Sequence, residues 1–316
     1  MISLIATVRN EKNSIASWWY SLSLQTRQPD EWVIVDGGST DGTWEWLQET
    51  AADIPNLVVK QVSGNIATGR NAAIALAKGD IIVVTDAGCT YAGDWLAEIV
   101  RPIEAEEGDW SATAFGPGLA NATWLQTLLA ALTTPSEPEF EIDWLPSSRS
   151  VAFRQALWHT VQGYPTWIPF CEDVLFDRAL ARVGKLALVR RPLVFWRPRP
   201  TIQAYLKQVF NYTRSEGHAG LNWARQAARF VAYTVFIAIV LAGPVWTIPL
   251  LYLAGLDYVQ KYALRWFRFT EKRGYIVRLL SVVPLAFLLI AGDVAKMAGW
   301  LFGKFEVLAG RIHKPV

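Results

Sequence analysis

The sequence of 316 residues is poor in the side chains that build disulfide frameworks and zinc sites. It has two cysteines, Cys89 and Cys171, and three histidines, and none of them has the spacing of a metal-binding cluster. A reducing compartment is therefore expected. The sequence also lacks the glycine-rich turn G-x-G-x-x-G and the phosphate-binding loop G-x-x-x-x-G-K-[ST], which argues against a nicotinamide dehydrogenase and against a P-loop nucleotidase.

A secretion signal and low-complexity tracts are missing as well. The apolar run from Ile2 to Val8 is shorter than the core of a signal peptide, and no basic residue precedes it. The first half of the chain is therefore expected to stay in the cytoplasm. With 52% hydrophobic residues and 16 tryptophans the chain is too apolar for a disordered protein, and its mean hydropathy of +0.19 favours a membrane.

Charge is divided unequally along the chain, although the formal net charge is only +2. Residues 1–177 contain 9 Lys and Arg against 23 Asp and Glu, whereas residues 178–316 contain 21 against 5. An acidic first half suits the chemistry of metals and sugars. The basic second half suits an anionic lipid surface or, alternatively, a nucleic acid. Because its charges interleave with long apolar runs, we expect a membrane and no nucleic acid as the partner.

Short β-branched runs alternate with amphipathic stretches from Ser3 to about Arg199, which predicts an α/β fold with a mostly parallel sheet covered by helices. The predicted strands are 3–8, 32–35, 57–62, 81–85 and 111–115, and the predicted helices are 14–24, 43–51, 67–77, 94–106 and 174–183. Polar clusters at 7–11, 36–41 and 86–89 follow predicted strands directly. Since such sheets bind ligands at the carboxyl ends of their strands, these clusters are expected to meet in one crevice.

The pattern changes after Pro200, and the chain is expected to divide into an α/β domain at 1–200, an amphipathic helix and linker at 201–225, and a membrane-associated helical region at 226–316. Behind a predicted helix cap at Thr201, apolar residues recur at helical spacing. They are Ile202, Tyr205, Leu206, Val209 and Phe210. This stripe suits either a helix packed on the protein core or a helix lying in the membrane interface.

Two apolar segments follow. Residues 230–256 run for 27 positions without a charge, interrupted by Gly243-Pro244 and Pro249, whereas residues 279–292 are uncharged for only 14, fewer than the roughly 20 that span a bilayer. Basic residues flank every segment, and Lys and Arg tend to stay cytoplasmic. We therefore expect a re-entrant pair of helices that turns at Gly243-Pro244, with arms of about 12 to 13 residues and both ends cytosolic. A transmembrane hairpin is the alternative.

Several motifs occur in a fixed order along the first two thirds of the chain. They are ISLIATVRNEKNSIASWWYSLSLQTRQPDEWVIVDGGSTDGT at 2–43, Gly69-Arg70-Asn71-Ala72-Ala73, the segment 82–88, Gly163-Tyr164-Pro165 and Glu172-Asp173. In this order they resemble the family 2 glycosyltransferases, which are inverting enzymes with the GT-A fold. The resemblance implies that residues 1–200 form a GT-A catalytic domain.

The resemblance also implies roles for individual residues on the donor side. Thr7, or its neighbour Ala6, and Asp36 match positions that hold the base and ribose of a nucleotide, although Asp36 also suits a plain turn. Arg70 matches a basic residue near the diphosphate, where a guanidinium fork binds phosphate oxygens well. Asp86 matches the first residue of the metal-binding D-x-D motif, which implies Mg²⁺ or Mn²⁺. Gly88 replaces the second carboxylate, so phosphate oxygens, water or another side chain would complete the metal site.

Asp173 matches the catalytic base and lies beside Glu172 in an acidic pair. In an inverting transfer such a carboxylate removes the proton from the acceptor hydroxyl, whereas a phosphate acceptor would need no base. The pair also suits the start of a helix. Arg197 is expected to bind the diphosphate or a lipid phosphate, as Arg199, Arg214 and His218 could, or to face lipid headgroups. His218 is also a candidate metal ligand.

These expectations together describe an inverting glycosyltransferase at the cytoplasmic face of the inner membrane. Its donor would be a nucleotide-diphospho-sugar, and its acceptor a hydroxyl or phosphate of a lipid or lipid-linked glycan. The alternative is a non-catalytic, membrane-bound protein that binds a nucleotide-sugar.

Overall fold

The computed structural model describes residues 1–135, 146–243 and 248–312, with the backbone alone for 248–254. The chain forms two compact units. The first unit comprises Met1–Gly118 and Pro135–Arg197, and the second comprises Leu119–Thr134 and Pro198–Val316. The second unit therefore takes in a short segment that lies, in sequence, within the first.

The secondary structure alternates strands and helices up to Trp196 and is helical afterwards. The strands are β1 Ile2–Val8, β2 Glu31–Asp36, β3 Leu57–Gln61, β4 Ile81–Asp86, β5 Cys89–Tyr91, β6 Trp110–Pro117, β7 Ser150–Arg154 and β8 Leu186–Trp196. The helices are α1 Ile15–Ser23, α2 Thr43–Asp53, α3 Ile66–Leu76, α4 Trp95–Glu104, α5 Trp124–Thr133, α6 Gln155–Thr160, α7 Glu172–Val183, α8 Ile202–Ala219, α9 Trp223–Ala242, α10 Ile248–Phe269, α11 Tyr275–Leu280 and α12 Val282–Leu308.

In the first unit the strands form one sheet in the order β3-β2-β1-β4-β7-β6-β8-β5. Strands β1, β2, β3 and β4 pair in parallel, as does β6 with β8. The pairings of β7 with β4 and β6, and of β5 with β8, are antiparallel. The expected α/β sheet is therefore confirmed, and it is mixed. The five strands expected from the sequence all form, whereas β5, β7 and β8 are additional.

Helices cover both faces of this sheet, as expected, and alternation along β1 shows why. Leu4, Ala6 and Val8 belong to a core cluster that includes residues of α1, α2 and α4, whereas Ile5 belongs to a second cluster with residues of α3 and α7. Because consecutive side chains of a strand point to opposite faces, a strand that is buried at nearly every position must be covered on both sides.

The second unit is helical, and α8 packs along α12. The Thr201 side chain caps α8 by accepting a 3.2 Å hydrogen bond from the Ala204 N–H. Tyr205 and Val209 of the predicted apolar stripe are buried in a cluster with leucines of α5 and α12. Part of the stripe therefore packs in the core of this unit, whereas Ile202 at its start is exposed.

Glycines allow α8 and α12 to approach closely. A Cβ placed on Gly303 of α12 would collide with the Arg214 carbonyl, and one on Gly299 would collide with the Phe210 carbonyl. On the α8 side, a Cβ on Gly217 would lie 2.5 Å from the Trp300 carbonyl oxygen. The pattern Gly299-x-x-x-Gly303 is thus a contact surface for another helix, as small residues at this spacing often are.

Two expectations about the apolar segments need correction. The stretch 279–292 is not an isolated short segment, because α12 continues to Leu308 past Asp293, whose carboxylate is paired with Lys296 at 3.1 Å. Pro284 is tolerated in the first turn of α12, where its missing N–H has no helical partner to lose. The first arm is also longer than expected, since α9 starts at Trp223 and has 20 residues.

Within the part of the chain that the structure describes, two helical segments, Trp223–Ala242 and Tyr275–Leu308, are long and apolar enough to cross a membrane. Only 6% of the most apolar stretch of the first segment is buried, and 28% of that of the second. Helix α9 ends at Ala242, next to the predicted break at Gly243. The other half of that break, Pro244, lies outside the described residues.

Candidate active site

The central strand β1 brings the predicted donor-side residues to one edge of the sheet. Val8 pairs with Asp36 at the end of β2, and Thr7 pairs with Asp86 at the end of β4. The Thr7 side chain lies under Gly69 of α3, where any Cβ would collide with the threonine hydroxyl. The backbone ends of β1, β2 and β4 therefore lie side by side, as expected for the three polar clusters that follow them.

Asp36 is buried, and its carboxylate accepts hydrogen bonds from its own turn and from β3. Its Oδ1 accepts hydrogen bonds from the N–H groups of Gly38 and Ser39 and from Gln61 Nε2, each at 2.9 Å. Its Oδ2 accepts a 2.5 Å hydrogen bond from the Ser39 hydroxyl. Burial by itself raises the pKa of Asp36, but these hydrogen bonds outweigh it and hold the pKa below its ordinary value. Asp36 thus shapes the turn as an anion.

The turn after Asp36 is joined to the loop after β1. The Asn10 N–H donates to the Ser39 hydroxyl at 2.8 Å, and Asn10 Oδ1 accepts from the Thr40 N–H at 2.9 Å. Asn10 adopts a left-handed conformation with φ of 55°, and Gly38 does so with φ of 87°. Asparagine and glycine are the residues that tolerate this geometry best. These hydrogen bonds join the loop after β1 and the turn after β2 into one rim at the ends of the two strands.

Arg70 is the centre of the charged site. Its side chain projects from α3, is almost completely buried, and binds two carboxylates from distant segments. Nη1 donates to Glu172 Oε1 at 2.5 Å, and Nη2 donates to Asp86 Oδ1 at 2.8 Å. The guanidinium carbon lies 5.4 Å from the centre of the Tyr164 ring. Burial by itself lowers the pKa of Arg70, but the negative charges of Asp86 and Glu172 raise it by more. The pKa therefore lies above its ordinary value, and the group stays cationic.

Glu172 and Asp173 form the first turn of α7, as the sequence predicted. The helix is preceded by Cys171 in a left-handed conformation with φ of 62°, a geometry that is uncommon for a residue with a Cβ. Glu172 is buried against Arg70, whereas Asp173 is partly exposed and its Oδ2 accepts a 3.1 Å hydrogen bond from the Ser147 hydroxyl. The two neighbouring carboxylates therefore have different environments.

The pKa of Glu172 lies above its ordinary value. Burial is the main cause, the negative charge of Asp173 adds to it, and Arg70 opposes both. Within this acidic group Arg70 is the cation that holds Glu172 in place. Asp173 is more exposed to solvent and accepts a hydrogen bond from a hydroxyl.

One acidic residue of this group was missed at the sequence level. Asp177 lies one helical turn after Asp173, is completely buried, and neither of its carboxylate oxygens has a hydrogen-bond partner among the described residues. Burial raises the pKa of Asp177 well above its ordinary value, and the charge of Asp173 adds to this effect. The spacing of four residues on one helix was the available signal.

Not all the predicted basic residues belong to this cluster. Arg197 directly follows β8, whose end pairs with Cys89 near the same edge, and its side chain is exposed. Among the described residues it makes no hydrogen bond to the acidic group around Arg70. Arg214 lies in the second unit, where it pairs with Glu306 through hydrogen bonds of 2.6 and 2.5 Å. His218 is buried and makes a 2.8 Å hydrogen bond with the same Glu306, so its side chain is engaged within the second unit.

A divalent cation at this edge would find one suitable carboxylate. Asp86 Oδ1 is bound by Arg70, and Oδ2 has no partner among the described residues. In residues 1–135, 146–243 and 248–312 no three His, Cys, Asp or Glu residues are arranged to hold a metal. A Cβ on Gly88 would meet nothing within 4 Å, so the chain has room for a second carboxylate there but does not supply it. These residues fit a cation that receives most of its ligands from a diphosphate and water.

The two cysteines differ in accessibility, and the tryptophans of α1 and α2 pack in the core. Cys89 is buried, and burial raises the pKa of its thiol, whereas Cys171 is partly exposed. Trp19 lies 4.8 Å from Trp32 and 6.2 Å from Trp46, measured between ring centres. These tryptophans therefore serve packing.

Comparison with known proteins agrees with the fold. Residues 3–142 match the sequence model of the family described as glycosyl transferase family 2. Over 108 residues the chain is 34% identical to the uncharacterized glycosyltransferase YfnE of Bacillus subtilis strain 168, a match that covers 33% of this chain and 27% of YfnE. Both matches fall short of half of this chain, and the sequence likeness to family 2 glycosyltransferases therefore concerns the part of the chain that is matched.

Solved structures support the GT-A fold of this domain. The mannosyltransferase PcManGT of Pyrobaculum calidifontis, in complex with GDP-Man and Mn²⁺, superimposes with a TM-score of 0.56 at 19% identity over 98% of this chain and 87% of PcManGT. TarS of S. aureus, residues 1–349 with UDP-GlcNAc, gives 0.51 at 18% identity over 98% and 92%. The chain spans 55% of a longer TarS structure. At these identities the likeness concerns the fold.

Proposed function

We propose that this glycosyltransferase domain moves a sugar, with inversion, from a nucleotide-diphospho-sugar to an acceptor hydroxyl. The observation that carries the proposal is the position of Arg70, which joins Asp86 at the end of β4 to Glu172 at the start of α7. Asp86, which matches the metal-binding motif, and the acidic pair that matches the catalytic base therefore lie around one cation. A transferase needs a diphosphate site and a base on opposite sides of the anomeric carbon.

Each residue has a distinct part in the proposed reaction. The rim that Asp36 shapes holds the nucleoside, and Thr7 lies beside it. Arg70 offers positive charge where the diphosphate leaving group develops negative charge. Asp173 accepts the proton of the acceptor hydroxyl as that oxygen attacks the anomeric carbon, and Glu172 keeps Arg70 oriented. Arg197, exposed at the same edge, contacts the diphosphate or a lipid phosphate.

A divalent cation, Mg²⁺ or Mn²⁺, belongs to the proposal as a companion of the donor. Asp86 would hold it through Oδ2, together with oxygens of the diphosphate and water. When bound, such an ion neutralises charge on the leaving group. The solved structure of PcManGT with GDP-Man and Mn²⁺ supports a nucleotide-sugar and a metal as a pair of ligands for this fold.

The test compares donor binding and transfer in matched variants. Thermal stabilisation by UDP-, GDP- and dTDP-sugars, with and without Mn²⁺, identifies the donor, because a ligand that prefers the folded state raises the melting temperature. Asp173→Asn is then expected to abolish transfer while the donor still stabilises the protein. Asp53→Asn, an exposed aspartate on α2, serves as the control. Undiminished transfer by Asp173→Asn would refute the proposed base.

A second candidate function is a nucleotide-sugar-binding protein without transfer activity. Two features favour it. Asp86 is hydrogen-bonded to Arg70, and Gly88 supplies no second carboxylate, so the protein offers few ligands to a metal. A chain that binds a labelled donor but neither transfers nor hydrolyses it, with any acceptor fraction and with added Mn²⁺, would establish this second function.

We also propose that the second unit attaches the protein to the cytoplasmic face of the inner membrane and that the acceptor is a lipid or a lipid-linked glycan. The apolar side chains of α9 and α12 support this, because many of them are exposed. Examples are Val235, Phe236 and Leu241 on α9, and Phe287 and Phe305 on α12. Exposed apolar surface of this extent suits contact with lipid better than contact with water.

The basic residues suggest how the helices are oriented. Lys261, Arg265, Arg268, Lys272, Arg273 and Arg278 lie between the two apolar segments. Keeping them cytoplasmic requires α9 and the start of α10 to enter the bilayer and return, as a re-entrant pair or as a hairpin. In a cysteine-free background, Glu271→Cys should react with an impermeant reagent only from the cytoplasmic side.

Sedimentation with anionic vesicles, without binding to a DNA duplex, would support a membrane over a nucleic acid as the partner of the second unit.

A further inference from the structure

Four hydrogen bonds connect the donor side of the site with the proposed base. The Tyr91 hydroxyl accepts from the Asp86 N–H at 3.0 Å and donates to the Arg149 carbonyl at 3.0 Å. The Arg149 side chain donates through Nη1 to the Ser147 hydroxyl at 3.0 Å. Ser147 in turn donates to Asp173 Oδ2 at 3.1 Å. A continuous path therefore runs from Asp86 to Asp173 through three side chains to which the sequence assigned no role.

The middle of this path is fixed to the sheet. Ser150 begins β7 and pairs with Thr85, which directly precedes Asp86 in β4. A turn closed by a 2.9 Å hydrogen bond from the Ser150 N–H to the Ser147 carbonyl carries Ser147 and Arg149. Because a ladder of central strands is rigid, the register of β7 against β4 sets the position of the turn relative to Asp86.

Aromatic rings hold the Arg149 guanidinium. Its carbon lies 5.5 Å from the centre of the Phe115 ring on β6 and 5.1 Å from that of Trp196 on β8. Contacts of a guanidinium with ring faces are attractive and restrict its orientation. Arg149 is therefore held by two strands of the sheet while it orients the Ser147 hydroxyl.

The other end of the path is equally well defined. Tyr91 is buried and its ring centre lies 4.3 Å from that of Trp95. Burial raises the pKa of Tyr91 well above its ordinary value, so the hydroxyl stays protonated and donates a hydrogen bond to the Arg149 carbonyl. A hydroxyl that both accepts and donates, in a buried position, can be replaced only by a group with the same two functions.

We propose that Tyr91, Arg149 and Ser147 are positioning residues that set the placement of the base Asp173 relative to the donor-side residue Asp86. The inference rests on the proposed function and deepens it. In an inverting transfer the base and the leaving group must lie on opposite sides of the anomeric carbon, so their separation must stay within a narrow range. Ser147 donates to Asp173 Oδ2 and thereby restricts the orientation of that carboxylate.

The decisive experiment separates catalysis from donor binding in single variants. Tyr91→Phe and Ser147→Ala are each expected to reduce kcat by about tenfold or more, with donor affinity within about twofold of wild type, because only the base is displaced. Ser147→Thr keeps a hydroxyl and should restore most of the activity. Ser23→Ala and Tyr20→Phe, at exposed positions of α1, are the matched controls. Equal kcat in all variants, or a parallel loss of donor affinity, would overturn the proposal.

A second measurement does not depend on turnover. A crystal structure of the Ser147→Ala protein should show the Asp173 carboxylate displaced from its position in wild type, since the hydrogen bond from the Ser147 hydroxyl is lost. The charged neighbours Glu172, Asp177 and Arg70 are unchanged in that variant. An unmoved carboxylate would refute the link even if the protein proves to be a binder only. Absence of transfer by the wild type, with the expected displacement, would instead refute the proposed function alone.

Discussion

Arg70 and Glu172, which are 102 positions apart in the chain, are joined by a 2.5 Å hydrogen bond between buried side chains. The same guanidinium binds Asp86 at 2.8 Å. One cation therefore compensates the buried carboxylate of Glu172, which would otherwise be costly, and the partly exposed carboxylate of Asp86. The arrangement makes Arg70 a structural and an electrostatic centre at once, and its replacement should affect folding and ligand binding together.

Replacement of Arg70 by Met is expected to destabilise the protein by about 3–5 kcal/mol, because it leaves buried carboxylates without their partner. Donor binding should be lost as well. Arg70→Lys keeps the charge but not the fork that reaches both carboxylates, so its stability should lie between that of wild type and Arg70→Met. Chemical denaturation and donor titration measure the two effects. An Arg70→Met protein as stable as wild type would contradict the assigned ion pairs.

A second carboxylate at position 88 should strengthen metal binding. Gly88 has open space around its Cβ position and no left-handed φ, so Gly88→Asp is expected to fold normally. The added oxygen ligands should raise the affinity for Mn²⁺ in the absence of donor, which electron paramagnetic resonance of free Mn²⁺ can measure. Gly88→Asn, which adds bulk without charge, is the control. If both variants bind Mn²⁺ as weakly as wild type, Asp86 is not a metal ligand.

The part of the site that the sequence could predict is the part that lies at strand ends. Asp36 and Asp86 follow runs of buried residues, and parallel strands place their carboxyl ends together, so their proximity was predictable. The partnership of Arg70 with Glu172 was not, because it depends on how α7 packs against α3. The path through Tyr91, Arg149 and Ser147 gave no sequence signal at all. Hydrogen bonds between distant segments leave no local periodicity.

The same reasoning explains which strands were missed. Strands β1 and β4 are apolar at nearly every position, which is typical of the centre of a parallel sheet. Strand β8 contains Arg190-Arg191-Pro192 and pairs irregularly with β6, with a register shift where Ala114 faces Pro192. Strand β5 has three residues. A bulged strand and a very short one lack the alternation by which strands are recognised.

The stability that Asp36 contributes should depend on pH. Because its folded-state pKa is lowered, this stabilisation is present above the unfolded pKa of about 4 and is lost as the pH falls through the folded pKa. Asp36→Asn should therefore be less stable than wild type at neutral pH, and the difference should shrink under acid conditions. Unfolding midpoints measured from pH 7 downwards test this. Asp53→Asn should show no such convergence, and a difference that is constant with pH would contradict the assignment.

Two glycines of the second unit should respond to alanine in opposite directions. Gly303 of α12 lies against the Arg214 carbonyl of α8, so a Cβ there forces the helices apart. Gly303→Ala is expected to destabilise the unit by about 1–3 kcal/mol, the usual cost of overpacking. Gly255 of α10 has nothing within 4 Å of its Cβ position, so Gly255→Ala should stabilise by about 0.5–1 kcal/mol through helix propensity alone.

Thermal unfolding of the full chain in detergent gives both values under the same conditions. The comparison isolates helix packing, because both substitutions add one methyl group to a helical glycine and change no charge. Stabilisation by Gly303→Ala would mean that α8 and α12 do not approach each other through Gly299 and Gly303. Destabilisation by Gly255→Ala would mean that another surface covers that face of α10. The opposite signs are expected because backbone contact, and not helix propensity, determines the effect at Gly303.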